Sequence, residues 1–148
     1  MKNLVFLCVG TTKIIGDSVG PKVGDRLREN NIEAFVYGNS QRQVTAINVD
    51  DYVRMIKAKH ADDLLVVIDS ALGKTDDIGT IKVTKNGIKP GGAFDKSKER
   101  VGDVGILAVV GDADADRMTE LKTRDSVFID KLVEKVVDFA NGYMLSLA

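Results

Sequence analysis

The chain has 148 residues, 44% of them hydrophobic and 29% charged, with a formal net charge of −1. That size and balance fit one ordinary globular core, built mostly from Val, Ile, Leu and Ala because aromatics are 5% and Trp is absent. No basic stripe or acidic tail stands out, so neither nucleic acid nor an anionic membrane surface is expected as a partner.

The first element is the apolar run "LVFLCV", Leu4 to Val9, which reads as a central strand covered on both faces. It holds the one cysteine, Cys8. A lone thiol in an apolar run points to a reducing, cytoplasmic setting and a buried side chain. The run is also too short to span a membrane. "GTTKIIGDSVGP" follows, Gly10 to Pro21, a polar glycine-rich loop. Pro21 after Gly20 signals a helix start, with Val23 and Leu27 on one face and Gly24 permitting close approach to the sheet. "IEAFVYG" (Ile32 to Gly38) reads as a second strand, and Asn48 to Lys59 as a helix with Val49, Tyr52, Val53 and Ile56 at helical spacing.

"DLLVVID" (Asp63 to Asp69) reads as a third strand, ending at its second carboxylate. "GTIKVTKNG" (Gly79 to Gly87) alternates with period two and runs into an Asn-Gly turn. "IKPGGAFDKSKERV" reads as a loop, "VGILAVVG" (Val104 to Gly111) as another buried strand, and Thr123 to Leu147 as a closing helix. The stripe of that helix runs through Val127, Phe128, Leu132, Val136, Ala140 and Met144. Apolar strands alternating with helices imply a mainly parallel sheet between helical layers, with ligands beyond the carboxyl ends of the strands. Gly10–Gly20, Ser70–Ile78 and Asp112–Asp116 are expected to begin at those ends.

Four motifs suggest chemistry that their context does not support. "GDSVG" is similar to a serine-esterase block, but that mechanism needs a histidine base, and the single His60 falls at the end of the second helix. "LGKTDD" ends like a phosphate-binding loop, yet the upstream glycine position is Ile68 and no helix follows. "DADAD" starts like a calcium loop, but Arg117 and Thr123 stand where Gly and Glu are needed, so a helix cap before Met118 is expected. "GTTKIIG" lacks the spacing of a dinucleotide loop.

Asp17 and Asp69 remain. Crossover topology can bring these strand ends side by side, where two close carboxylates share a proton and polarise a water. Such a pair needs neither His nor Cys. Spacing alone leaves two alternatives open: a divalent-metal site, or two carboxylates that only bond nearby backbone N–H groups.

"VGTTKIIGDSVGPKVG", "LLVVIDSALG" and "GTIKVTKNGIKPGGAFDKSKERVGDVGILAVVGDADA", in that order, resemble the spore germination protease group, and within it the short sporulation proteins of the YyaC family. The resemblance runs from Leu4 to Asp116. It implies a three-layer αβα sandwich of the phosphorylase/hydrolase-like kind, shared with hydrogenase maturation endopeptidases, with residues 1–148 forming one unit. It also implies that Asp17 and Asp69 are catalytic, as an atypical aspartic peptidase would use them. Gly16, Ser18, Gly20, Ser70, Gly91 and Gly92 would then bind a protein or peptide substrate. No cofactor is expected and no metal is assigned; a homo-oligomer is left open. Thr12 departs from the acidic residue usual after the first Gly-Thr, and "GGAFDKSKERVGD" lacks the histidine of the nickel-reading maturation enzymes. Lys74, Lys89 and Lys96 are the candidates for positive charge near the site. The rival expectations are a non-catalytic sporulation factor binding a partner through the same cleft, and a small-molecule hydrolase or phosphorylase.

Overall fold

The computed structural model describes residues 2–90 and 99–147. A five-stranded sheet of order β2-β1-β3-β5-β4 forms its middle layer. The strands are β1 (Leu4–Cys8), β2 (Phe35–Tyr37), β3 (Leu64–Gly73), β4 (Ile81–Thr84) and β5 (Val104–Asp112). β1, β2, β3 and β5 run parallel; β4 alone is antiparallel, paired with β5. The helices are α1 (Val19–Glu29), α2 (Val49–Lys59), α3 (Arg117–Lys122) and α4 (Ser126–Ser146). This is a mixed α/β fold with helices on both faces of a mostly parallel sheet, as the alternation of apolar strands and helices requires.

Alternate strand residues build two cores. Phe6, Cys8, Val66, Ile68, Ile106 and Ala108 face α1 and α4, which contribute Val23, Leu27, Leu132 and Val136 among others. Val5, Leu7, Leu65 and Val67 face α2 through Val49, Val53 and Ile56. Gly24 serves as expected: a Cβ there would collide with the carbonyl of Gly38. α4 departs from the expected stripe. Leu132, Val136 and Ala140 are buried, but Ile129, Val133 and Val137 share that face, while Val127 is 60% exposed. A helix covering a broad sheet buries a face wider than one row of residues.

The chain passes from β1 outward to β2 and then returns to β3 on the other side of β1, so the β1/β3 boundary is where the strand order reverses. Clefts form at that point in open α/β sheets. β3 does not end at Asp69, as the carboxylate suggests; it continues to Gly73. β5 accompanies it, with Ser70 opposite Ala108 and Gly73 opposite Asp112, across a bulge between Ala71 and Leu72. β1 stops earlier, at Cys8 opposite Ile68. Asp69 is therefore the first residue of β3 beyond the reach of β1. α3 has no counterpart in the sequence reading beyond its cap; six residues are too few to show a helical period.

Candidate active site

The edge of β3 that β1 abandons needs new hydrogen-bond partners. Ile68 O accepts from Val9 N at 2.8 Å on that side. Alternate residues of a parallel strand face the same neighbour, so Ser70 turns this edge outward. Its N–H donates to Asp69 Oδ1 at 2.8 Å. Asp69 is 7% exposed. Its parity places it on the α2 face of the sheet, beside Leu107, its register partner on β5.

On that face α2 covers β1 and β3. The β5–β4 half carries Ile88 and Val101, joined by an antiparallel bridge, instead of a helix among the described residues. A cavity of about 660 Å³ opens here. Asp69, Ser70 and Arg117 line it at the β3 side, and Thr84, Lys89 and Arg100 at the β4 side. Ala71, Leu72, Ile88 and Leu107 supply apolar wall. Ser70 Oγ is buried and has no hydrogen-bond partner among the described residues.

Asp17 closes a 3-10 turn, Ile15–Asp17, that leads into α1. The turn is braced by Thr11 N donating to Asp17 O at 2.9 Å and Asp17 N donating to Ile14 O at 2.9 Å. Burial pushes the Asp17 carboxyl up to about 6; the Thr11 N–H and the Arg117 guanidinium oppose that rise. Asp17 is not among the residues that line the cavity with Asp69; Arg117 is the residue that relates to both. Its charge acts on Asp17, and its side chain lines the cavity with Asp69. α3 aims it there: Asp116 caps the helix by accepting from Thr119 N at 3.0 Å, and Arg117 is the first residue after the cap.

The other predicted site residues divide. Ser70 lines the cavity beside Asp69. Ser18 is 2% exposed and its Oγ donates to Ile15 O at 2.6 Å, which fixes the turn carrying Asp17. A Cβ at Gly16 would stand 2.7 Å from the Leu121 backbone of α3, and one at Gly20 would collide with the Val9 carbonyl. Both glycines let the Asp17 turn seat against α3 and β1. Gly91, Gly92 and Lys96 lie outside the described residues. Lys89 borders the cavity, whereas Lys74 is an exposed residue before a 3-10 turn. Arg117 and Arg100 were missed by sequence reasoning. The available signal for Arg117 was its place directly after the expected cap in "DADADR".

His60 sits apart. It is buried at the end of α2, with Nδ1 2.7 Å from Asp63 Oδ2 and Nε2 2.8 Å from Tyr37 Oη. Both ring nitrogens are engaged in fixing β2 against the start of β3. Among the described residues, no group of three or more His, Cys, Asp or Glu side chains is arranged to hold a metal ion. The acidic loop after β5 is internally bonded: Asp114 N donates to Asp112 Oδ1 at 2.8 Å.

The mostly parallel sheet with helices on both faces is also found in solved structures. The fold matches a [NiFe] hydrogenase maturation protease HycI from Thermococcus kodakarensis KOD1, with a TM-score of 0.64 and 19% identity over 97% of this chain and 92% of that one. It likewise matches the [NiFe] hydrogenase maturation protease HybD from Thermococcus kodakarensis, at 0.60 and 17%, covering 96% of this chain and 99% of the other. The chain itself belongs to the family described as Protein of unknown function (DUF1256), whose model matches residues 1–138. It is 33% identical over 110 residues to the uncharacterized protein YyaC of Bacillus subtilis (strain 168), covering 74% of this chain. The chain spans about half the length of that curated relative, 54%. Among the described residues no helix is long and apolar enough to cross a membrane.

Proposed function

We propose that this protein is a peptidase in which Asp17 and Asp69 activate a water for attack on a peptide bond. The observation that carries the reading is Arg117, which lines the cavity together with Asp69 and whose charge also acts on Asp17, a residue that is not among those lining the cavity. The maturation-protease fold is consistent with a peptidase-like role on a protein substrate.

The roles follow from the two environments. Asp17, its carboxyl raised by burial, is the group able to carry a proton near neutrality and pass it to the leaving nitrogen. Asp69, which lines the cavity with Arg117 and accepts from the Ser70 N–H, is the carboxylate that polarises the water. Arg117 supplies fixed positive charge where the tetrahedral oxyanion forms. The fit to the spore germination protease motifs supports the same assignment and extends it to a sporulation role in the cytoplasm. Residues 1–148 would act as one unit.

The test is incubation with a peptide library, read by mass spectrometry, for the wild type, Asp17→Asn and Asp69→Asn. General acid–base catalysis of this kind contributes roughly 10²–10⁴-fold, so each substitution is expected to reduce cleavage by at least about 100-fold. Cleavage that persists in both variants removes the aspartates from the mechanism. Absence of cleavage in the wild type, with peptide capture unchanged in both variants, assigns the cleft to a non-catalytic binding factor instead.

A further inference from the structure

The cavity that Asp69 lines on β3 extends to residues of β4 and the segments after it, and there its charged side chains are cationic. Lys89 and Arg100 line it at the β4 side, and both are exposed residues. Arg100 is held in place by main chain: Nη2 donates to Gly87 O at 2.6 Å and Nε to Asn86 O at 3.2 Å. Thr84 Oγ1 donates to the same Gly87 carbonyl at 2.6 Å, which fixes the guanidinium next to a hydroxyl that also lines the cavity. Among the described residues, Asp69 is the one carboxylate that lines the cavity, against three cations: Lys89, Arg100 and Arg117. The hydroxyl of Ser70 lies buried in the same wall without a hydrogen-bond partner among the described residues.

We propose that the β4 end of this cavity, formed by Lys89, Arg100 and Thr84, is a carboxylate-binding subsite for the peptide whose backbone lies over Asp69. This inference rests on the peptidase reading and adds a substrate class to it. β3 and β4 are separated by β5 alone, so two strand spacings, about 10 Å, divide the subsite from the aspartate. An extended peptide covers that distance in about three residues. The recognised carboxylate therefore lies two to three residues from the bond presented to Asp69, as an acidic side chain or as the free C-terminus. Asp69 repels a second anion at close range, which further assigns the ligand carboxylate to the distant end. Apolar wall from Ile88 and Leu107 lies between the two ends and strengthens the attraction by excluding water.

The experiment uses the Asp17→Asn protein, which keeps the cavity-lining residues and slows hydrolysis. Calorimetric titration compares acetylated hexapeptides in three forms: C-terminal acid with neutral side chains, C-terminal amide with one Glu, and the amide with Gln in place of Glu. Inorganic phosphate forms a separate arm. A carboxylated peptide is expected to bind at least 10-fold tighter than its neutral partner, with the preference falling as salt rises. Which of the two acids binds identifies the source of the carboxylate. Arg100→Gln and Lys89→Gln are expected to abolish the preference, and Arg100→Lys to retain part of it. Equal affinity for Glu and Gln peptides and for acid and amide overturns the subsite. So does binding of phosphate alone, which would assign the cations to a phosphoryl ligand. The two levels fail separately: carboxylate-dependent binding without wild-type cleavage overturns the peptidase reading and keeps the subsite, whereas cleavage indifferent to the carboxylate does the reverse.

Discussion

Asp17 is held in a turn that costs the folded state whenever its carboxyl ionises. Its folded value of about 6 lies above the ordinary 3.8, so the native protein binds the extra proton between those values. Stability from this group is fully present below pH 4 and is lost as pH rises through 6. The whole shift corresponds to roughly 3 kcal/mol; partial exposure of the side chain reduces that to about 1–2 kcal/mol. Asp17→Asn is expected to be more stable than the wild type by that amount at pH 8 and nearly equal to it at pH 4, measured by urea unfolding. A carboxylate serving only as a helix cap would give the opposite sign at pH 8. The α1 start has no side-chain cap bond from Ser18, in keeping with a turn shaped for the position of Asp17. Gly20 sets the other limit. Gly20→Ala drives a methyl into the Val9 carbonyl and is expected to destabilise by about 3 kcal/mol or more, seen as a lowered Tm.

At the scale of elements, α3 decides where Arg117 points. The helix is six residues long, too short to persist without its cap. Asp116 Oδ2 accepts from both Thr119 N and Thr119 Oγ1, and these bonds hold its carboxyl below the usual range. Asp116→Ala is expected to lose about 1 kcal/mol of stability and a larger share of peptide cleavage than that loss explains, because Arg117 loses its anchor. An activity unchanged within twofold would separate α3 from the site. The acidic run "DADAD" revealed this cap in the sequence, but not the helix behind it or the arginine it aims. Likewise the strand of Asp63 to Asp69 was legible as an apolar run, while its continuation through Ser70–Gly73 was hidden. Those residues remain in the sheet because β5 accompanies them, a long-range pairing that a local pattern does not encode.

Across the whole molecule, both faces of the sheet are covered at β1, and Cys8 is fully buried between layers. Burial raises its thiol to about 12, with the charge of Asp25 adding to the rise. Cys8 is expected to react with a thiol reagent only at the rate of global unfolding; fast labelling of native protein would mean that the α1 layer opens locally. The layered architecture was readable because each buried strand is a continuous apolar run. The cavity was not, since it arises where α2 covers one half of a face and leaves the other, and where cations distant in sequence, Lys89, Arg100 and Arg117, border one space. The account's central claim is that Asp17 and Asp69 act as one catalytic unit. The most direct measurement is the peptide-cleavage rate of Asp17→Asn, Asp69→Asn and the double variant. Groups that work as a unit lose nearly everything at the first substitution, so the double variant is predicted to be no slower than the slower single variant. Losses that multiply in the double variant, or a single variant that cleaves at the wild-type rate, would contradict it.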